Sequence, residues 1–259
     1  MRKFIKDYLA KEYDNYVKDL EALTNIDSGN GDLGGKEAAN KFVAAKMQAL
    51  GAQTEFRYND RGCHLISRLK GKGTQTVLLV AHVDTVFKRG EVAKRPFRVD
   101  ENGFAWGPGV GDDKATVMEV IYGLAALKEA GFDDYKEIIY YTNAEEEGGS
   151  PTAEGIVAEL SQQADFAVIM DVARPNWGIV TQRKGNAKYK ITVTGKGGHH
   201  GNASQCCANA IHQLAYTITE LHKLASPMPG KPEDFTAKAL EARGIVDSGQ
   251  FIPPNTVNE

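Results

Sequence analysis

The sequence predicts an α/β fold, in which a mostly parallel β-sheet carries helices on both faces and is followed by a smaller α+β domain. Short apolar runs of strand length alternate with longer segments of helical periodicity as far as Met170. After Gly178 the alternation gives way to one strand-like segment and one long helical pattern. We therefore expect two domains, a larger one over residues 1–183 and a smaller one over residues 184–259.

Each element of the larger domain has its own local signal. The first helical pattern ends at the turn-rich segment DSGNGDLGG, and the second ends at Gly51, a residue type that commonly terminates helices. Strands are predicted where short apolar runs are bounded by turn residues. In chain order, the predicted elements are helices over 4–23 and 36–50, strands over 54–58, 64–69, 76–81 and 104–106, a helix over 114–130, a strand over 137–144, a helix after Pro151 and a strand over 166–170.

The smaller domain is predicted from a strand-like segment over 178–195 and a long helix over 204–224. A Pro- and Gly-rich linker and a further helix over 233–243 follow.

Composition and charge exclude several classes of protein. With 42% hydrophobic and 25% charged residues, the chain resembles an average globular protein that buries a core. Lys and Arg number 31 against 34 Asp and Glu, so there is no basic field to hold nucleic acid or an anionic membrane. No apolar stretch approaches the roughly 20 residues that span a bilayer. Without a secretory h-region at the N-terminus, the expected location is the cytoplasm.

Metal-type ligands follow four of the predicted strands. Open α/β sheets bind ligands at the carboxyl ends of their strands, so we expect these groups to converge on one edge. Each pattern alone has a structural explanation, because His-x-Asp is often a local hydrogen-bonded pair and an EEE run is usually a solvated face. Their occurrence at successive strand ends favours a functional site. The candidate residues are His82 and Asp84 after TVLLVA, Asp112 after FAW, Glu146 and Glu147 after EIIYYTNA, and Asp171 after FAVIM.

The chemistry of this set indicates a metal-dependent hydrolase. Imidazole and carboxylates without thiolates suit zinc, and cobalt or manganese would accept the same ligands. The three cysteines have no C-x-x-C spacing, so no cysteine-based zinc site is indicated. Asp84 stands where a carboxylate can orient the His82 ring. Glu146 and Glu147 divide into one ligand and one free carboxylate that can take a proton from the attacking water.

Two other interpretations of GPGVGDDK fail on chemistry. A phosphate loop would end in G-K-[ST], and two Asp side chains would repel phosphate. A dinucleotide fingerprint needs a third glycine where Asp112 stands after Gly107 and Gly109. We expect Gly107, Gly109 and Gly111 to let the backbone turn tightly so that Asp112 reaches the metals.

Five motifs together resemble a known family. AHVDTV, GPGVGDDK, EEEGGS, the strand end at Asp171 and GKGGHHG occur in the order and approximate spacing of the dinuclear zinc peptidases and deacylases that include glutamate carboxypeptidase, tripeptidase T and aminoacylase. The resemblance spans about residues 77–201 and implies a zinc-exopeptidase-like fold with a lid domain. It further implies hydrolysis of a peptide or N-acyl amide bond in a small peptide or N-acyl amino acid, and a homodimer formed through the lid.

The resemblance also implies a role for each candidate residue. His82 and Asp171 would bind one zinc, Asp112 would bridge two, and Glu147 would bind the second. Glu146 would be the general base and acid, and a strained peptide that can be cis would follow Asp112. His199 would stabilise the oxyanion, with the adjacent His200 left open as the alternative. Asp171 favours aminopeptidases or tripeptidases, whereas GPGVGDDK is closer to glutamate carboxypeptidase. Whether residues are removed from the N-terminal or the C-terminal end of a peptide therefore stays open.

The sequence departs from the family pattern after GKGGHHG. Relatives supply a final His for the second zinc and an Arg for the substrate carboxylate from later segments. Here His212 and His222 fall within a predicted lid helix, and the sequence ends at IPPNTVNE, in the middle of the lid pattern. We therefore expect an incomplete lid. The alternative function is a catalytically incomplete chain that folds or dimerises without a full dizinc site.

Overall fold

The computed structural model describes residues 1–172, 189–199, 201 and 207–223. The chain divides into two compact units, Met1–Val180 and Thr181–Glu259. The domain boundary predicted after residue 183 and the helix predicted over 233–243 lie outside the described residues, so both stay predictions.

The first unit contains helices and strands in the predicted alternation. The helices are α1 (Arg2–Lys11), α2 (Tyr13–Thr24), α3 (Leu33–Ala49), α4 (Glu91–Lys94), α5 (Ala115–Glu129) and α6 (Ala153–Ser161). The strands are β1 (Gln53–Tyr58), β2 (Cys63–Lys70), β3 (Thr76–His82), β4 (Arg98–Val99), β5 (Ala105–Trp106), β6 (Glu137–Asn143) and β7 (Phe166–Ile169). Gly51, with a φ of 93°, follows the end of α3 as expected of a helix terminator.

Five strands form one sheet in the order β1-β2-β6-β3-β7. Strand β3 pairs in parallel with β6 on one side and β7 on the other, while β1 and β2 add an antiparallel hairpin beside β6. The α/β fold class is confirmed, with a sheet that is mixed. Because β6, β3 and β7 run in the same direction, the segments that follow them emerge at one edge of the sheet.

Helices cover both faces of the sheet. Alternate residues of β6 point in opposite directions, since the side-chain period of a strand is two. Ile138 and Tyr140 join a buried cluster with residues of α2, α3 and α5. Ile139 and Tyr141 join a second cluster with residues of α6. The core therefore has two layers, one on each side of the sheet.

The N-terminal helix differs from its prediction. Two helices, α1 and α2, replace the single one expected over 4–23, and the break lies at Glu12, with φ −87° and ψ 3°. Both helices contact α5. Periodicity missed the break because apolar spacing continues through it. The short strand predicted over 104–106 pairs with β4, which forms a two-stranded hairpin.

The second unit is described over shorter stretches. Helix α7 (Ala210–Lys223) lies within the helix predicted over 204–224, and a bridge joins Lys196 to Ala208. Of the strand-like segment predicted over 178–195, the described residues 189–195 belong to no strand, and the others lie outside the described residues. Among the residues that the structure describes, no helix is long and apolar enough to cross a membrane.

Candidate metal centre

His82 is the last residue of β3, and its ring is 3% exposed. Its backbone N–H donates to Asp113 Oδ2 at 3.1 Å. The ring Nε2 lies 3.0 Å from Asp112 Oδ1, and the ring Nδ1 lies 3.1 Å from the backbone oxygen of Asp84. The Asp84 carboxylate, expected to orient the ring, is farther away, with Oδ1 at 3.5 Å from Nδ1. The backbone of Asp84 is thus the nearer partner of the imidazole.

Asp112 is brought to His82 by the turn after β5. Gly109, with a φ of 73°, adopts the left-handed conformation, and a β-carbon at this position would clash with the Thr85 side chain. The turn Val110–Lys114 then departs from helical backbone angles at Asp112 and Asp113, and the peptide between these two residues is cis. The Asp112 side chain is 53% exposed, while Asp113 is buried. The Asp112 carboxylate is therefore accessible to a metal ion beside His82.

The three glutamates after β6 have different environments. Glu145 is buried, Glu147 is half-buried and Glu146 is exposed. The backbone N–H groups of Glu146 and Glu147 donate to Asp84 Oδ1 and Oδ2, each at 3.0 Å. The fully buried carboxylate of Asp84 thus holds the 3₁₀ turn Glu146–Gly148 against the end of β3.

Asp171 completes a group of three ligands. It follows β7, the neighbour of β3 in the sheet. One ligand atom from each of His82, Asp112 and Asp171 lies within 4.8 Å of the other two. Glu147 is outside this group of three. The sequence-predicted residues of the first unit therefore meet at one edge, as a three-ligand group beside the turn that carries Glu146 and Glu147.

Clustered carboxylates dominate the electrostatics of this edge. Burial lowers the pKa of His82, but hydrogen bonds to Asp112 and Asp84 outweigh burial and raise it to about 11. Burial and the charge of Asp112 raise the pKa of Glu147 to about 7. Partial desolvation by the surrounding site, together with nearby carboxylates, also raises the pKa of Glu146, although its surface stays exposed. Clustered carboxylates that stabilise an imidazolium so strongly favour a bound cation. The imidazole and carboxylate donors fit a divalent metal of the zinc type.

The remaining predicted site residue, His199, belongs to the second unit. Its ring Nδ1 accepts a hydrogen bond from the backbone N–H of Gly201 at 3.1 Å. His200 lies outside the described residues. The roles of His199 and of its neighbour stay predictions. His212 and His222 both lie in α7, in agreement with the helical pattern of the sequence.

The sequence interpretation missed the division of labour within EEE. Glu145 Oε1 accepts hydrogen bonds from the backbone N–H groups of Thr152 and Ala153 at 2.7 and 2.6 Å and from the Thr152 hydroxyl at 2.6 Å. The only sequence signal for this role is the start of a helical pattern seven residues later. A carboxylate at a helix N-terminus is favoured by the free N–H groups and by the helix dipole.

Comparison with known proteins gives a consistent family match. Residues 78–248 match the family model described as Peptidase family M20/M25/M40. Carboxypeptidase G2 of a Pseudomonas species is 34% identical over 200 residues, which is 75% of this chain and 48% of that protein. The Beta-Ala-Xaa dipeptidase of Lactobacillus delbrueckii is 30% identical over 156 residues, which is 55% of this chain and 32% of that protein.

A solved structure supports the fold. The aminopeptidase PepT of Bacillus cereus superposes with a TM-score of 0.61 at 19% identity, over 80% of this chain and 56% of that chain. The chain thus spans about half of the length of carboxypeptidase G2 and about a third of that of the dipeptidase.

Proposed function

The chain belongs to Peptidase family M20/M25/M40, and from this premise we propose that it is a zinc-dependent hydrolase that cleaves a peptide or N-acyl amide bond. The observation that carries the proposal is the convergence of His82, Asp112 and Asp171 within 4.8 Å. The names of two relatives, a carboxypeptidase and a dipeptidase, support a small peptide substrate. An N-acyl amino acid offers the same type of bond.

The proposed metal ligands divide between two zinc ions. His82 and Asp171 would hold one, Asp112 would bridge both, and Glu147 would hold the second. Cobalt or manganese would suit the same donors. When bound, such ions supply Lewis acidity that polarises the scissile carbonyl and activates water. The raised pKa of Glu147 supports this assignment, because a divalent cation would stabilise a carboxylate that is half-buried and near Asp112.

Glu146 is the proposed general base and acid. Its side chain is exposed at the site edge, while its backbone is held by Asp84 at 3.0 Å. The pKa of this carboxyl group is raised towards neutral pH, and a group with a pKa near the working pH can both take up and release a proton efficiently. Glu146 would take the proton of the attacking water and deliver it to the departing amine. Asp84 would hold the turn in place and orient the His82 ring. His199 would stabilise the oxyanion.

Further parts of the proposal concern partners and location. A homodimer formed through the lid domain is proposed from the family resemblance, and a cytoplasmic location is proposed from the sequence pattern. The formal net charge of −3 gives no support for a nucleic-acid or membrane-surface role.

The test measures hydrolysis of dipeptides, tripeptides and N-acyl amino acids by the purified protein, after chelation and after addition of zinc, cobalt or manganese. We expect cation-dependent turnover, and a loss of at least about 100-fold in kcat for Glu146→Gln with metal content retained. Glu154→Gln is the matched control, because Glu154 is exposed on α6. Full activity of Glu146→Gln would refute the assigned base.

A further inference from the structure

A continuous chain of hydrogen bonds runs behind the turn that carries Glu146 and Glu147. Its centre is the Thr152 hydroxyl, which donates to Glu145 Oε1 at 2.6 Å and accepts from Asn59 Nδ2 at 2.7 Å. Asn59 Nδ2 also lies 2.8 Å from His64 Nε2, and His64 Nδ1 lies 2.8 Å from Tyr141 Oη. The chain thus connects the β1–β2 turn, strands β2 and β6, the start of α6 and the site turn.

The orientation of Asn59 fixes the direction of these hydrogen bonds. Asn59 Oδ1 accepts the backbone N–H groups of Arg61 and Gly62 at 2.8 and 2.9 Å. Asn59 Nδ2 therefore donates, and His64 Nε2 accepts. On the other side of the ring, His64 Nδ1 accepts the backbone N–H of Ala144 at 3.3 Å and lies 2.8 Å from Tyr141 Oη. Burial lowers the pKa of His64, which agrees with a neutral ring.

Glu145 links these hydrogen bonds to the turn that carries Glu146 and Glu147. Its carboxylate is buried and caps α6, which has no capping side chain of its own at Thr152. Its backbone oxygen accepts the N–H groups of Gly148 and Ser150 at 3.1 and 3.0 Å, and these bonds close the turn over Glu146 and Glu147. Asp84 holds the same turn from the other side. The position of both glutamates therefore depends on where Glu145 is anchored.

The charged side chain of Lys36 lies in the same buried region and contacts the β1–β2 turn. Its ammonium donates to the Arg61 backbone oxygen at 3.0 Å, and the side chain is buried. Burial lowers the pKa of Lys36, while the charges of Asp84 and Glu145 oppose this effect. Lys36 is thus a buried positive group near two buried carboxylates that hold the turn.

We propose that Thr152 is a positioning residue, whose hydroxyl anchors Glu145 to Asn59 and His64 and thereby sets the places of Glu146 and Glu147 in the metal centre. The inference rests on the proposed function for the roles of these two glutamates. The physical arrangement itself is independent of that function, since every contact in it lies within the protein.

The test compares Thr152→Val, which removes the hydroxyl at nearly constant shape, with Thr152→Ser, which restores it. Thr54→Val is the matched control, because the Thr54 hydroxyl accepts an exposed hydrogen bond from Gln48 on α3. Thr152→Val removes both hydrogen bonds of the hydroxyl, and the one donated to Glu145 is the one that anchors the turn. In metal-free protein, we therefore expect backbone amide exchange of Glu146 and Glu147 to be about fivefold faster, the typical effect of losing one anchoring hydrogen bond. Thr152→Ser and Thr54→Val should exchange as the wild type does.

Zinc affinity measured by calorimetry provides the second readout. We expect about tenfold weaker binding by Thr152→Val, the lower end of the effect of supporting residues on metal sites, with recovery in Thr152→Ser. Unchanged exchange in folded Thr152→Val would overturn the proposal. Faster exchange with unchanged zinc affinity would also overturn it, because Thr152 would then be merely structural.

Two provisions keep the outcomes distinct. If Thr152→Val does not fold, Thr152→Ala replaces it, since this change also removes the hydroxyl that donates to Glu145 and accepts from Asn59. If the wild type binds zinc but hydrolyses no substrate, the proposed reaction fails, whereas the exchange and affinity comparisons still decide the role of Thr152.

Discussion

Replacement of Asp84 by Asn tests the link between the fold and the site turn. Asp84 is fully buried, and its two carboxylate oxygens accept the N–H groups of Glu146 and Glu147 at 3.0 Å each. Asp84→Asn keeps one oxygen and turns an amide NH₂ towards the other N–H. A hydrogen bond to a charged acceptor contributes about 1.5 to 3 kcal/mol, and an unsatisfied buried donor costs about 1 to 3 kcal/mol.

These terms overlap, and loss of the charge relieves some repulsion with Glu146, so we expect the free energy of unfolding to fall by about 2 to 4 kcal/mol. The assay is urea denaturation of metal-free protein at neutral pH. Asp60→Asn is the control, because Asp60 is exposed, and it should change the value by less than about 0.5 kcal/mol. A change equally small in Asp84→Asn would show that the turn does not depend on this carboxylate.

Two other substitutions test the surroundings of the site. Gly109→Ala should lower the free energy of unfolding by at least about 1 kcal/mol in urea denaturation, because φ is 73° and a β-carbon would meet Thr85; unchanged stability would contradict the left-handed turn. Burial lowers the pKa of His64 in the folded state below its usual 6.5, so below pH 6.5 the unfolded chain binds more protons and stability falls as pH falls. His64→Gln should flatten this part of the stability profile between pH 5 and 7, measured by urea denaturation, and an unaltered slope would refute the assignment to His64.

The sequence could predict the edge at which the site lies because it depends on strand direction. Apolar runs mark β3, β6 and β7, and parallel strands bring their following residues to one edge, which places His82 near Asp171. The position of Asp112 could be predicted less directly, from the glycines that allow the turn before it. The roles of these residues in binding metal stay predictions.

Other features could not be predicted because they depend on tertiary contacts. The three glutamates of EEE are identical in sequence, and only the start of α6 and the Asp84 carboxylate distinguish Glu145 from Glu146 and Glu147. Likewise, the spacing of apolar residues does not specify whether a strand pairs in parallel or antiparallel. The antiparallel hairpin of β1 and β2 beside β6 could therefore not be predicted from it. The Asn59, His64 and Thr152 contacts join segments up to 93 residues apart.

The most direct test of the central claim is the metal content of the purified protein after zinc loading and dialysis against metal-free buffer, compared with His82→Gln and Asp171→Asn. We expect the wild type to retain at least one zinc ion per chain, because His82, Asp112 and Asp171 already converge. Both variants should retain less. A wild type that retains no zinc, or variants that retain as much as the wild type, would contradict the assignment of this edge as a metal centre.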